Sequence, residues 1–408
     1  MLGFSGGKSA LPRGIKLTLK TIFLILIVLY AAHLVEHVWP HTAGLQWDFT
    51  VYYYAAEAHS QGLDPYQLEN LSQVSGEDLW LPFVYPPSTL WFFRIFNHFS
   101  FSTVYHIWLL GKLLLLIILI FIWNKYFLDN RFSVLFILFV LLAYDSAIYW
   151  DIKSGNISML EQFFIWTAFA FYIKKKPMLF AALVVLIAIF KFTPVFFLLL
   201  LLFSGSERKW RNFACALGIF LTLIFIRYLS QPELFRAYIN NAMAINERAN
   251  DFNYGMLAFM QDIFNTIGGA KLSSLKGIIP FSAYLITALT ICLVSMHSLN
   301  WRLSNSRFWD NRLTVLLFCA IYVLILPRFK CYSFIILIPP SYYIMKHYVS
   351  TKAFPFILLL LLIPVSTPLP ESGLIDTFFR YYPLYMAFII WVLFISYLRR
   401  KTTGFASP

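Results

Sequence analysis

The sequence predicts an all-α polytopic membrane protein, and three observations carry that prediction. Charged residues make up 12% of the chain, about half of the roughly 25% usual in soluble domains. Hydrophobic residues reach 60%, with a mean hydropathy of +0.70. The apolar residues fall into successive runs of membrane-spanning length, and most of the basic residues sit in the short connectors between them. The net charge of +13 is therefore an orientation signal rather than the mark of a nucleic-acid binder.

The first apolar run, Thr21 to His33, continues to Pro40 and follows Lys8, Arg13, Lys16 and Lys20 with no small-residue cleavage site behind it. It reads as a retained span, not a removed signal peptide. Placing basic clusters on the cytoplasmic side makes residues 1–18 an inner tail and takes span one outward to about residue 38. After an outer loop over 39–101, the run at about 102 to 123 returns to Lys125 and Arg131, and the runs at about 132 to 149 and 156 to 173 form a hairpin ending at Lys174-Lys175-Lys176. The next stretch, about 31 residues from Lys176 to Glu207, would make a helix of about 46 Å against a hydrocarbon core of about 30 Å. Both of its ends are basic, so two short arms meeting at Lys191-Phe192-Thr193-Pro194 satisfy the charge rule, with proline suited to the first turn of the returning arm.

The remaining runs lie at about 212 to 228, 278 to 297, 313 to 327, 332 to 345, 354 to 366 and 382 to 398. They bring the total to about twelve transmembrane or half-spanning helices, with the tail at 399–408 also inside. A second large outer loop covers 229–277. With no internal repeat or low-complexity tract, residues 1–408 read as a single membrane domain. Cys215, Cys292 and Cys319 lie within apolar runs and Cys331 at a turn, so no disulfide framework is expected.

The first outer loop is the chemically richest segment. Phe49 to Gln61 has helical spacing, with Asp48 at the N-cap position, Gly62 as a stop, and an aromatic face of Phe49, Tyr52 and Tyr53 suited to an interfacial helix. Pro86-Pro87 opens a second short amphipathic helix, Ser88 to Phe99, too short to cross.

The pattern Asp48-Phe49-x-x-Tyr52-x-x-Ala55-Ala56, then Gly62-x-Asp64-Pro65-Tyr66, then Phe83-x-Tyr85-Pro86-Pro87, resembles glycosyltransferase family 87, polyprenol-phosphate-mannose-dependent mannosyltransferases of the GT-C superfamily. Gly155-Asn156-Ile157, and Lys191-Phe192-Thr193-Pro194 as a Lys-x-Thr-Pro, fit the same pattern, and the resemblance covers roughly residues 45 to 211 before fading. It implies a GT-C fold, a lipid-phosphate sugar donor used on the outer face of the inner or plasma membrane, and an acidic base in the first outer loop. The expected partners are a polyprenyl-phosphate sugar, a lipid-linked or glycan acceptor and membrane lipid.

The residues support this chemistry independently. Attack of an acceptor hydroxyl on an anomeric carbon needs a carboxylate to take the proton, and Asp48 is placed to do so; its plainer role is to cap the helix it precedes. A lone lysine deep in a bilayer costs about 2.5 to 3.5 kcal/mol, whereas an opposite charge about 4 Å away returns about 4 kcal/mol at an effective dielectric of 20. Lys191 thus reads as a donor-phosphate ligand, with a snorkelling or carboxylate-paired lysine as the alternative. Arg328 and Lys330, basic residues on an outer turn, are further phosphate candidates, or simply exposed turn charges. Tyr52, Tyr85, Asp151, Asn156 and Asn253 are the substrate-binding candidates, and Asn156 also suits a helix cap. Glu57 and Asp64 are reserve acids whose plainer reading is solvated surface charge.

His33-Leu34-Val35-Glu36-His37 matches the H-x-x-E-H of some zinc proteases, with His41 one turn on. Pro40 intervenes and no distant helix offers an acidic ligand, so interfacial polar residues are the preferred reading and no metal or other cofactor is expected. The sequence and the resemblance together point to an inverting glycosyltransferase moving a sugar, mannose by resemblance, from polyprenyl phosphate to an acceptor outside the cytoplasm. Its rivals are a transporter with Lys191 as a mid-membrane site, disfavoured because the ionisable residues gather at outer turns, and a non-catalytic membrane subunit.

Overall fold

A computed structural model describes residues 13–40, 45–128, 133–244, 251–268, 277–305, 311–348, 358, 361–362 and 379–403. Among these the chain is helical, its one β pairing being an antiparallel bridge between Asn253 and Lys330. Among the described residues six helices are long and apolar enough to cross a membrane: Lys20–Val38, Phe101–Leu128, Val134–Ser154, Lys209–Ser230, Ile278–Asn300 and Tyr382–Arg399. Shorter apolar helices run over Pro177–Phe190, Thr193–Phe203 and Asn311–Ile325. The protein is an all-α polytopic membrane protein. The run expected at 354 to 366 lies outside the described residues except for 358, 361 and 362, as do His41 and the ends of both tails.

The chain divides into two compact units, one of Met1–Tyr30, Trp123–Tyr149 and Glu247–Pro408, the other of Ala31–Ile122 and Trp150–Asn246. In the second unit the first outer loop forms α2 (Trp47–Ser60), α3 (Leu68–Ser75) and α4 (Ser88–Phe93), following α1 (Arg13–Val38) in the chain. α4 continues as a 3-10 turn, Arg94–His98, and leads into α5 (Phe101–Trp123). α6 (Val134–Ser154), whose last five residues belong to this unit, is followed by α7 (Ser158–Ile173) and α8 (Pro177–Phe190). A 3-10 helix over Thr193–Phe203, α9 (Lys209–Ser230) and α10 (Pro232–Ala244) complete it.

The aromatic face of α2 does not lie against lipid, as its spacing suggested. Phe49, Tyr52 and Tyr53 are buried, and Phe49 stacks on Trp108 of α5 with ring centroids 5.1 Å apart. Tyr52 meets Phe93 at 4.7 Å, and Phe83, Leu90, Phe93 and Val104 close the same core. α2 thus packs its aromatic face into the protein, while Asp48, Glu57 and His59 stay partly exposed and Ser60 exposed.

The two-arm reading of 177–203 is met by α8 and the 3-10 helix, which join at Lys191 and Phe192 with Pro194 in the first turn of the second arm. At 1.5 Å per residue α8 is about 21 Å long, and at about 2.0 Å the 3-10 arm is about 22 Å, so neither spans a core of about 30 Å.

In the first unit, α11 (Met256–Gly268), α12 (Ile278–Asn305) and α13 (Asn311–Ile325) precede a 3-10 segment, Cys331–Leu337. α14 (Ile338–Tyr348) and α15 (Tyr382–Thr403) follow. The turn after α13 is tied to the segment before α11: Tyr254 N–H reaches Phe329 O at 2.8 Å, and Cys331 N–H reaches Phe252 O at 3.0 Å. Gly255 lets the two strands of chain meet, since a β-carbon there would lie 2.5 Å from Pro327 O. The part of α6 in this unit is broken. Ala143 is extended, and Tyr144, Asp145 and Ser146 all adopt left-handed backbone angles, costing about 1–2 kcal/mol each for non-glycine residues. Hydrogen bonds from Tyr144 to Ser341, Tyr30 to Ser146 and Ser146 to Leu141 O hold the break.

Candidate active site

The site is built in the second unit, where the start of α2 meets the turn between α6 and α7. Gly155 makes that meeting possible. Its φ of +70° is left-handed, and a β-carbon on it would lie 2.8 Å from Phe49 Cβ and 2.9 Å from Gln46 Cβ. The Gln46 N–H donates to Lys153 O at 2.8 Å, and the Trp108 indole N–H donates to Gly155 O at 2.8 Å, so the turn is clamped from α2 and from α5.

Asp48 lies in the first turn of α2, not at its N-cap, which is Gln46. Its carboxylate, on a partly exposed residue, accepts from Asn156 Nδ2 at 2.8 Å. The same amide nitrogen lies 3.0 Å from Tyr52 Oη and 3.1 Å from Tyr85 Oη. Asn156 is oriented from its other end: Oδ1 receives the backbone N–H of Ser158 at 2.9 Å and its hydroxyl at 2.7 Å, covering the first residue of α7. Capping and site contact, weighed as alternatives for Asn156, are carried by the two ends of one amide.

Tyr85 is delivered by the motifs around it. Asp64 Oδ1 accepts from the Tyr66 N–H at 2.9 Å and so forms a local turn rather than a free surface charge, and the Tyr66 hydroxyl donates to Tyr85 O at 2.8 Å. Asn241 of α10 donates to Phe83 O at 2.7 Å, and Ser88 to Ile189 O at 2.6 Å, beside the Lys191 apex. Burial, and next the charge of Asp48, push the Tyr85 phenol well above its ordinary range. At physiological pH it is a neutral hydroxyl able to donate.

Beneath this surface lies an ion pair that the sequence reading did not single out. Lys112 of α5 and Asp151 of α6 are 2% and 0% exposed, with Nζ 2.8 Å from Asp151 Oδ2. The same ammonium donates to Asp151 O at 2.6 Å and Asn156 O at 2.5 Å. Asp151 is therefore a buried partner of Lys112, and a sugar cannot reach its carboxylate. Lys191 is likewise paired, its Nζ 2.8 Å from Glu161 Oε2 of α7. The carboxylate is 3% exposed, but the lysine keeps 27% of its side chain accessible. Both missed partners carried a signal: Lys112 is the only lysine or arginine in α5, and Glu161 the only acid in α7.

Asn253, Arg328 and Lys330 lie in the first unit. Asn253 is buried, its Oδ1 accepting from the Gly255 N–H at 3.0 Å and the Phe329 N–H at 2.9 Å, which makes it a clamp for the 327–331 turn. Lys330 Nζ donates to Asp251 O at 2.6 Å, and Arg328 is exposed. Along α1, His33 and His37 stack with centroids 4.1 Å apart, and Glu36 is 79% exposed. Among the described residues no three His, Cys, Asp or Glu side chains form a group able to hold a metal ion.

A family model for glycosyltransferase family 87 matches residues 83–327, well over half of the chain. The chain belongs to glycosyltransferase family 87. This family 87 glycosyltransferase matches from Phe83 onward, so the stretch includes Tyr85, Lys112, Asp151, Asn156, Glu161 and Lys191, while Asp48 precedes it. The match also runs beyond residue 211, where the resemblance read from motifs faded. No curated protein and no solved structure matches the chain.

The approach at Gly155 gives a direct prediction. Gly155→Ala combines a left-handed backbone cost of about 1–2 kcal/mol with a 2.8 Å clash against α2, so it should separate Asp48 from Asn156. Glycosyl transfer by the purified variant should fall at least tenfold while the helical circular dichroism persists. Wild-type turnover would show that α2 does not need this contact.

Proposed function

We propose that this glycosyltransferase moves a sugar, mannose in the first instance, from a polyprenyl-phosphate donor to a lipid-linked or glycan acceptor, with inversion, Asp48 acting as the base. The observation that carries the reading is the Asp48 carboxylate, partly exposed, fixed by the Asn156 amide and ringed by Tyr52 and Tyr85. A carboxylate so held takes the proton of the acceptor hydroxyl as its oxygen bonds to the anomeric carbon, and the bond from that carbon to the phosphate oxygen breaks on the opposite face. The partly exposed Tyr85 supplies a hydroxyl for the sugar, and Asn156, bonded also to the buried Tyr52, orients the base. On the charge rule that orients the chain, both termini lie in the cytoplasm and the site faces the exterior of the inner or plasma membrane.

Lys191 is the proposed donor-phosphate ligand. Its ammonium carries three hydrogens, and the pair with Glu161 keeps it in place while its exposed side leaves room for a second anion. It stands ahead of Arg328 and Lys330 because it belongs to the same unit as Asp48, whereas those two belong to the first unit. Lysine neutralises a departing phosphate directly, so the proposed reaction proceeds without a divalent ion.

Three experiments test these assignments. Asp48→Asn should leave the melting temperature of the purified protein near wild type and lower transfer from polyprenyl-phosphate mannose by at least about 100-fold, the lower range for loss of a general base. Near-normal turnover rejects Asp48 as base. Lys191→Ala should weaken binding of polyprenyl phosphate about 10- to 100-fold, the 1.5–3 kcal/mol of a hydrogen bond to a charged group, whereas Glu161→Gln, which keeps the ammonium, should not. An affinity unchanged in Lys191→Ala removes the assignment. Transfer should also persist in excess chelator; loss of activity that zinc or manganese restores would return His33, Glu36, His37 and His41 to consideration as ligands.

A further inference from the structure

The Lys112 ammonium is in an unusual position for a lysine on a membrane-spanning helix. It is 2% exposed, donates to Asp151 O and Asn156 O at 2.6 and 2.5 Å, and has the Asp151 carboxylate as its counter-charge, Nζ to Oδ2 2.8 Å. At that exposure a substrate cannot reach the ammonium, so Lys112 does not act as a phosphate ligand of the kind proposed for Lys191, which keeps 27% of its side chain accessible. Two of its partners are backbone carbonyls that begin and end the α6–α7 turn. The Asp151 carbonyl, in the last turn of α6, also takes the Gly155 N–H at 3.1 Å, and the ammonium adds a charged donor there, at the negative end of the helix dipole.

The second carbonyl belongs to Asn156, whose side-chain amide holds the Asp48 carboxylate at 2.8 Å. That amide has two hydrogens facing three oxygens, those of Asp48, Tyr52 and Tyr85 at 2.8, 3.0 and 3.1 Å. Which oxygens it serves depends on where the Asn156 backbone sits, and Lys112 fixes that place. We propose that Lys112, through the Asn156 carbonyl, is a positioning residue for the catalytic carboxylate, with Asp151 serving as the counter-charge that lets an ammonium be buried there. The inference rests on Asp48 being the base.

Lys112→Met alone leaves Asp151 buried without its cation and is expected to destabilise the fold. Lys112→Met combined with Asp151→Val replaces the pair by apolar side chains, an exchange that in buried pairs is often neutral or stabilising. Asp151→Asn leaves the ammonium without its counter-charge while both carbonyls remain, and is likewise expected to destabilise the fold. Melting temperature, kcat and KM would be measured for all three in full-length protein, with polyprenyl-phosphate mannose as donor and Asp48→Asn in parallel. The expected result is a separation of stability from turnover. The double variant regains much of the melting temperature lost in Lys112→Met, yet both lysine-free proteins have kcat reduced about a hundredfold, the scale of a roughly 1 Å misplacement, with KM little changed. Asp151→Asn loses melting temperature as Lys112→Met does but loses less kcat, because its ammonium still has the two carbonyls.

A double variant with wild-type kcat, or kcat values that simply follow melting temperature across the set, overturns the proposal. So does a double variant that cannot fold, since the pair would then serve the fold rather than the base. If Asp48→Asn retains turnover, the base assignment itself has failed; if Asp48→Asn is inactive while the double variant turns over normally, positioning alone has failed.

Discussion

The Lys112 ammonium, closed inside the turn from α6 to α7, is the interaction around which the second unit is arranged. A buried ion pair adds little net stability, because removing two charges from water cancels most of their attraction. Its value here is geometric. Three fixed acceptors around one nitrogen define where Asp151 and Asn156 lie, and Trp108, one turn earlier on α5, fixes Gly155 between them. A four-carbon stem reaching across from α5 thus ties the last turn of α6, through Asp151 O, to the start of α7, through Asn156 O.

Aromatic packing supplies what the polar turn cannot. Phe49 lies between Trp108, Phe93, Phe96 and Phe101, so α2 enters the unit along a slot set by ring edges and faces. Gly155 removes the one β-carbon that would hold α2 away from the turn. With the ring slot and the missing side chain both in place, Asp48 one residue before Phe49 has a single location. The Tyr66 hydroxyl and Asn241 amide then bring the Phe83–Tyr85 strand against it. The polar centre is small, but every member is oriented by a second contact, which is what a reacting carboxylate requires.

Elsewhere strain is tolerated where the surroundings over-determine it. Tyr144, Asp145 and Ser146 hold left-handed angles in a helix without glycine or proline at the break, and they persist through contacts with Ser341, Leu141 and Tyr30. Nothing in the run Leu141-Leu142-Ala143-Tyr144-Asp145-Ser146 announces it. The cause lies in partners as far away as residue 341.

The sequence by itself determined the class of the protein, most of its spans, the two arms meeting at Lys191 and the stretch of loop that holds the candidate base. Those features follow from hydropathy and from basic residues that avoid crossing the bilayer, both properties of a segment alone. It also identified Asp48, Tyr52, Tyr85 and Asn156 one by one. Only the tertiary structure decided that these four converge, that Asp151 belongs to Lys112 and Lys191 to Glu161, and that the aromatic face of α2 meets protein rather than lipid. Asn253, which as a loop residue could equally face a substrate, became a backbone clamp for the same reason. A charge or a ring in a sequence carries its chemistry but not its partner, and pairing across tens of residues is set by packing, not by spacing along the chain.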